Sequence, residues 1–130
     1  MDHRRNISSG TKWESKVGYS RAVRIGNTIE VAGTAAVDDR GHVVGVNDPY
    51  QQTKFILAKI EKALVEAGAT MNDVVRTRIF VTNIKNWDSV GKAHGEVFNN
   101  IMPASTMVEV SHLIDPELLV EIEVTAVLTE

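Results

Sequence analysis

A chain of 130 residues, with 14 Lys and Arg against 17 Asp and Glu, has the size of one domain, and its net charge of −3 gives no general pull toward nucleic acid. It contains no cysteine, which excludes disulfides, thiolate metal ligands and thiol nucleophiles. No stretch approaches the roughly 20 apolar residues of a membrane span, and no apolar segment of a secretory signal follows the basic start, so a cytoplasmic protein is expected.

Residues 1–14 are polar and aperiodic, and read as a loose arm or an irregular edge. Tyr19 to Ile25, Gly26-Asn27 and Thr28 to Val37 read as strand, tight turn and strand, since glycine and asparagine accept the positive φ of two-residue hairpins. Gly33 lies inside the second strand, where glycine marks either a bulge or a close approach to the backbone. Asp38-Asp39-Arg40-Gly41 signals a further turn, with His42-Val43-Val44 as a short returning strand. Asp48 and Pro49 open a helix, Ile56, Ile60, Ala63, Leu64 and Ala67 line one face of it, and Gly68 supplies a left-handed stop.

Val74 to Thr82 alternates Val75, Thr77, Ile79 and Val81 against Val74, Arg76, Arg78 and Phe80, the pattern of a strand. Asn83 or Asn86 caps a second helix carrying Trp87, Val90, Ala93 (or His94) and Val97 on one side. Two strands close the chain. In Thr106–Val110 the alternation sets Thr106, Val108 and Val110 against Met107 and Glu109. In Leu118–Leu128 it sets Val120, Ile122, Val124, Ala126 and Leu128 against Glu121, Glu123, Thr125 and Val127. Ile114-Asp115-Pro116-Glu117 makes the turn between them.

This order predicts an α+β two-layer sandwich, a mixed sheet with two helices on one face. The opposite face would draw on Tyr19, Arg76 or Arg78, Met107, Glu109, Glu121, Thr125 and Val127. Such a blend of apolar and charged groups marks a subunit interface, so an obligate oligomer is expected. His3, His42, His94 and His112 match no ligand spacing, and neither a metal nor a cofactor is expected. Glu121 is a candidate acid/base, with an interface carboxylate as the plainer alternative. Ser105 and Thr106 offer hydroxyl and backbone donors to a ligand, but no histidine is spaced to make either a nucleophile. Arg76 and Arg78 stand as anion anchors or, more simply, as salt-bridge partners.

Gly18-Tyr19, the Gly26-Asn27 hairpin, Val31-Ala32-Gly33-Thr34, Val74 to Val81, Pro103-Ala104-Ser105-Thr106-Met107-Val108-Glu109-Val110 and Val120-Glu121-Ile122-Glu123 follow one another as in a known family. In these segments the chain resembles the Rid (YjgF) family of reactive-intermediate deaminases, in its arginine-lacking branch. The resemblance implies a chorismate-mutase-like fold, a homotrimer, and a small metabolite held in clefts between subunits. It implies hydrolysis of an imine or enamine to a carbonyl compound and ammonia. Carried over residue by residue, it places the catalytic glutamate at Glu121, the cleft tyrosine at Tyr19 and the pocket backbone at Ala32-Gly33. The arginine that grips a substrate carboxylate is replaced by Ser105. A guanidinium meets a carboxylate with two charge-assisted hydrogen bonds, whereas a serine hydroxyl gives one neutral bond. The substrate is therefore expected to differ from 2-aminoacrylate, and the alternative is a trimer that binds a metabolite or protein without chemistry.

Overall fold

The computed structural model describes residues 3–129. Its strands are β1 (Arg4–Ile7), β2 (Ala22–Ile25), β3 (Thr28–Ala35), β4 (Val74–Val81), β5 (Ala104–Glu109) and β6 (Val120–Val127). Its helices are α1 (Lys12–Val17), α2 (Pro49–Glu66) and α3 (Trp87–Phe98). The strands form one sheet in the order β1-β2-β3-β6-β4-β5, with β4 and β5 parallel and the other neighbours antiparallel. The last strand thus fills the centre of the sheet, between β3 and β4. This is the chorismate-mutase-like α+β sandwich, with α2 and α3 layered on one face.

Local chemistry sets α2. Asp48 Oδ1 accepts from the Gln51 N–H at 3.0 Å, Pro49 occupies the first turn, and Gly68 follows the end with φ of 91°. Its inner face, Ile56, Leu57, Ile60 and Leu64, meets Ile29 and Val31 of β3 and Ile122 and Val124 of β6 in one apolar cluster. Each such side chain contributes about 1.5–3 kcal/mol when fully buried. Gln52 is completely buried among them and fully satisfied. Its Nε2 donates to the carbonyls of Gly45 (3.1 Å) and Glu117 (2.9 Å), and its Oε1 accepts from the Leu119 N–H (2.8 Å). That clamp fixes the turn at Asp115–Glu117 and delivers β6 into the sheet.

Three expectations change. Residues 1–2 lie outside the described residues; from residue 3 on, of the two readings of this segment, an edge is what forms: β1 pairs with β2, and α1 follows it. Glu14 ties this segment down. Burial pushes its carboxyl up, but hydrogen bonds from Ser9, Ser8 and Thr11 outweigh burial and hold it below the usual range.

Strand β5 faces the opposite way from its predicted alternation. Met107 pairs with Ile79 and packs on the core, whereas Thr106 pairs with Arg78 on the open face. Glu109 also leaves the open face and accepts from the Ile84 N–H at 2.9 Å. A one-residue choice of phase turns over every side chain of a strand, and this edge strand has apolar residues in both phases. In β4 a register shift between Val74 and Arg76 lets Val74 join Thr77, Ile79 and Val81 on the buried side, while Val75 is exposed.

Candidate functional site

The site is organised by a bulge. The pairing of β3 with β6 skips a step between Val31 and Thr34, so Ala32 and Gly33 break the regular ladder. Glu121 lies opposite Ala35 on one side and Phe80 on the other, and its carboxylate leans over Gly33. A Cβ at Gly33 would overlap Glu121 Oε2 and stand 3.1 Å from its Cδ. Gly33 therefore lies in the bulge, and the oxygen that stands close to it is the protein's own Glu121 Oε2.

Arg21, just before β2, binds this bulge from within. It is 9% exposed, and its Nη2 donates to the Gly33 carbonyl at 2.6 Å. Its guanidinium carbon lies 5.7 Å from the centre of the Tyr19 ring, a cation–π distance. Burial raises the Glu121 carboxyl above its usual value; Arg21 pulls it back and Glu123 pushes it upward. Lys59 stands behind, donating to the Val37 carbonyl at 2.8 Å, with its ammonium destabilised by burial and then by Arg21. Tyr19, Gly33 and Glu121, distant in sequence, thus converge on one buried arginine that sequence reasoning did not single out. Its signal was weak, since a lone arginine beside a strand start is ordinarily a surface residue.

Tyr19 and Ala32 also border a shallow hollow of about 660 Å³ on the open face, with Arg4, Glu30, Arg78 and Glu123 around it. Arg78 Nη1 stands 3.6 Å from Glu123 Oε1, and Arg76 Nη2 donates to Thr106 Oγ1 at 3.4 Å. Thr106 therefore shares the face of Glu121, one strand beyond β4.

Ser105 does not. Its hydroxyl lies on the helix-bearing face, accepting from Thr77 Oγ1 at 2.7 Å, and Thr77 is 3.0 Å from His94 Nε2. The histidine partner that spacing did not reveal is present, reached through a buried threonine. Glu121 and Ser105 of one chain are separated by the sheet itself, so one chain does not bring both to a single small ligand. Among the described residues no three His, Asp or Glu side chains gather as a metal site, and no helix is long and apolar enough to cross a membrane.

A six-stranded chorismate-mutase-like sandwich with a carboxylate set over a glycine bulge defines a class of small α+β proteins. Residues 10–128 match the family model described as Endoribonuclease L-PSP. A Mycobacterium tuberculosis structure, described as a member of the highly conserved YjgF/YER057c/UK114 family, is 51% identical, with 97% of this chain and 100% of that one covered at a TM-score of 0.88. A Yersinia pestis structure of the conserved Rid protein family is 33% identical over 97% of this chain and 100% of that one, at a TM-score of 0.84. An uncharacterised Streptomyces coelicolor protein is 38% identical over 94% of this chain and 90% of its own. The chain belongs to the YjgF/YER057c/UK114, or Rid, family.

Proposed function

We propose that this chain is a cytoplasmic homotrimer whose intersubunit clefts hydrolyse a reactive imine or enamine to a carbonyl compound and ammonia. The observation that carries the reading is Glu121: a half-buried carboxyl, raised by burial, held over Gly33 beside Arg21. Water adding to the C=N carbon must lose a proton, and the leaving nitrogen must gain one. A single carboxyl of raised pKa serves in two rounds: it passes one water proton to the imine nitrogen as the C–O bond forms, then the hydroxyl proton of the resulting carbinolamine to the same nitrogen as the C–N bond breaks and ammonia departs, leaving the carbonyl. Tyr19 and the Ala32-Gly33 backbone border the ligand in this reading, and Thr106 adds a hydroxyl on the same face. The separation of Glu121 from Ser105 by the sheet supports a cleft between chains, in which each of the two residues comes from a different copy.

Imines generated by an amino-acid oxidase, with keto-acid release followed with and without the protein, test the proposal. Acceleration that Glu121→Ala removes supports it. No acceleration across a panel of side chains, from a trimer confirmed by mass, would overturn it. A second reading, a trimer that captures a metabolite without chemistry, is favoured by one observation: Ser105 stands where the resemblance implies the carboxylate-binding arginine. Binding without turnover would support that reading. The word endoribonuclease in the family description finds little support here, since a net charge of −3 provides no phosphate-binding excess.

A further inference from the structure

His94, Thr77 and Ser105 form an unbranched chain of polar groups running from beneath α3 to the exposed edge strand β5. His94 Nε2 lies 3.0 Å from Thr77 Oγ1, and the Thr77 hydroxyl donates to Ser105 Oγ at 2.7 Å. A hydroxyl has one proton. With the Thr77 proton directed to Ser105, the His94 contact is an Nε2–H donating into Thr77 Oγ1. The Ser105 oxygen then accepts from Thr77, and its own proton is free for a partner outside the chain of bonds. Thr77 is fully buried, so the link is shielded from water, while Ser105 is exposed. The His94 ring stacks on Phe98 with centroids 4.6 Å apart and planes tilted by 41°. Burial lowers its pKa, so the whole relay is neutral near pH 7.

We propose that this relay makes Ser105 a fixed, outward hydrogen-bond donor that selects an uncharged acceptor oxygen, an amide or ester carbonyl, in preference to a carboxylate. The proposal rests on the reading that Ser105 faces a ligand cleft. A carboxylate drawn from water needs a cation or several donors to offset its desolvation, and the relay supplies one neutral O–H. A neutral carbonyl loses far less hydration and is satisfied by that one bond. The substrates so selected are imines of carboxamides and esters rather than of free amino acids.

Two measurements on the intact protein decide it. Long-range nitrogen–proton NMR reports the His94 tautomer: Nε2–H is expected, and Nδ1–H would reverse the relay and overturn the proposal. Titration with pyruvamide and with pyruvate, followed at the Ser105 amide, reports selectivity. Pyruvamide is expected to bind at least roughly tenfold more tightly. Equal or tighter pyruvate binding, or no response of Ser105 to pyruvamide, would overturn the proposal. Thr77→Val should weaken pyruvamide roughly three- to tenfold, the size of one lost hydrogen bond. His94→Gln, which keeps an N–H donor, should restore more of the affinity than His94→Phe. Should Thr77→Val not fold, the wild-type tautomer and selectivity still decide. Pyruvamide preference without turnover of any imine would leave this inference standing while removing the enzymatic reading.

Discussion

Glu121 fills the side-chain space that Gly33 lacks, with its Cδ 3.1 Å from where a Gly33 Cβ would stand. Gly33 is not among the positive-φ residues, so alanine there meets no backbone strain, only the carboxylate. The clashing atoms are the far end of a flexible side chain, which can swing aside. Gly33→Ala is therefore expected to cost less than about 1 kcal/mol of stability while displacing the carboxylate. Thermal melts should change little, and imine hydrolysis should fall at least tenfold. Equal loss of both would mean that the bulge, not Glu121, carries the effect.

The titration of Glu121 gives a pH prediction. Burial raises its carboxyl above the usual 4.5, Arg21 opposes that, and Glu123 adds to it, while the neighbouring Arg78 stands 3.6 Å from Glu123. A carboxyl whose folded pKa exceeds its unfolded value binds its proton more tightly when folded. Its stabilising contribution is complete below 4.5 and is lost as pH rises through the raised folded value. Glu121→Gln, which cannot ionise, should melt above the wild type near neutrality and lose that advantage below pH 4.5. The same variant should lower imine hydrolysis by about a hundredfold or more, the scale of a lost acid/base group. A stability gain joined to an activity loss is what a functional carboxylate predicts and a structural one does not.

Much of the framework was legible because its signals are local. Asp48, Pro49 and Gly68 bound α2 within its own sequence, and the alternation from Val120 to Val127 matches the observed burial of β6 residue by residue. Strand β5 was misread because Met107 and Val108 are both apolar, and only its pairing with β4 selects Met107 for the core. Arg21 was invisible for a different reason. Burying a guanidinium is favourable only when its partners are in place, and the Gly33 carbonyl is brought to it by the β2–β3 hairpin and the bulge. The Ser105 relay draws on β4, α3 and β5, separated by 17 and 28 positions, and no spacing rule reaches across such elements.

Gln52 offers a prediction about stability alone. Its side chain makes three hydrogen bonds to backbone groups of Gly45, Glu117 and Leu119 while itself wholly buried. Gln52→Ala strands those groups and opens a void, at a cost of about 3 kcal/mol or more. For a domain of this size the melting temperature should drop by roughly 10 °C. Because the clamp sets the entry to β6, hydrogen exchange should quicken first around Leu118–Val120.

Ser105→Arg tests how far the cleft can be converted. Ser105 is exposed on an edge strand, so a long side chain can leave the sheet without displacing the core. The substitution breaks the bond to Thr77 and sets a guanidinium where the neutral donor stood. A bidentate carboxylate contact is worth about 1.5–3 kcal/mol per charged hydrogen bond, or ten- to a hundredfold and more in binding. Hydrolysis of 2-aminoacrylate should therefore rise by at least tenfold, while imines of carboxamides lose their preference. The paired readout separates two causes. A gain on the carboxylate substrate with a loss on the neutral one means that this position alone chooses between them. A loss on both, from a folded trimer, means that the guanidinium is not aimed at the ligand and that the carboxylate is held elsewhere in the cleft.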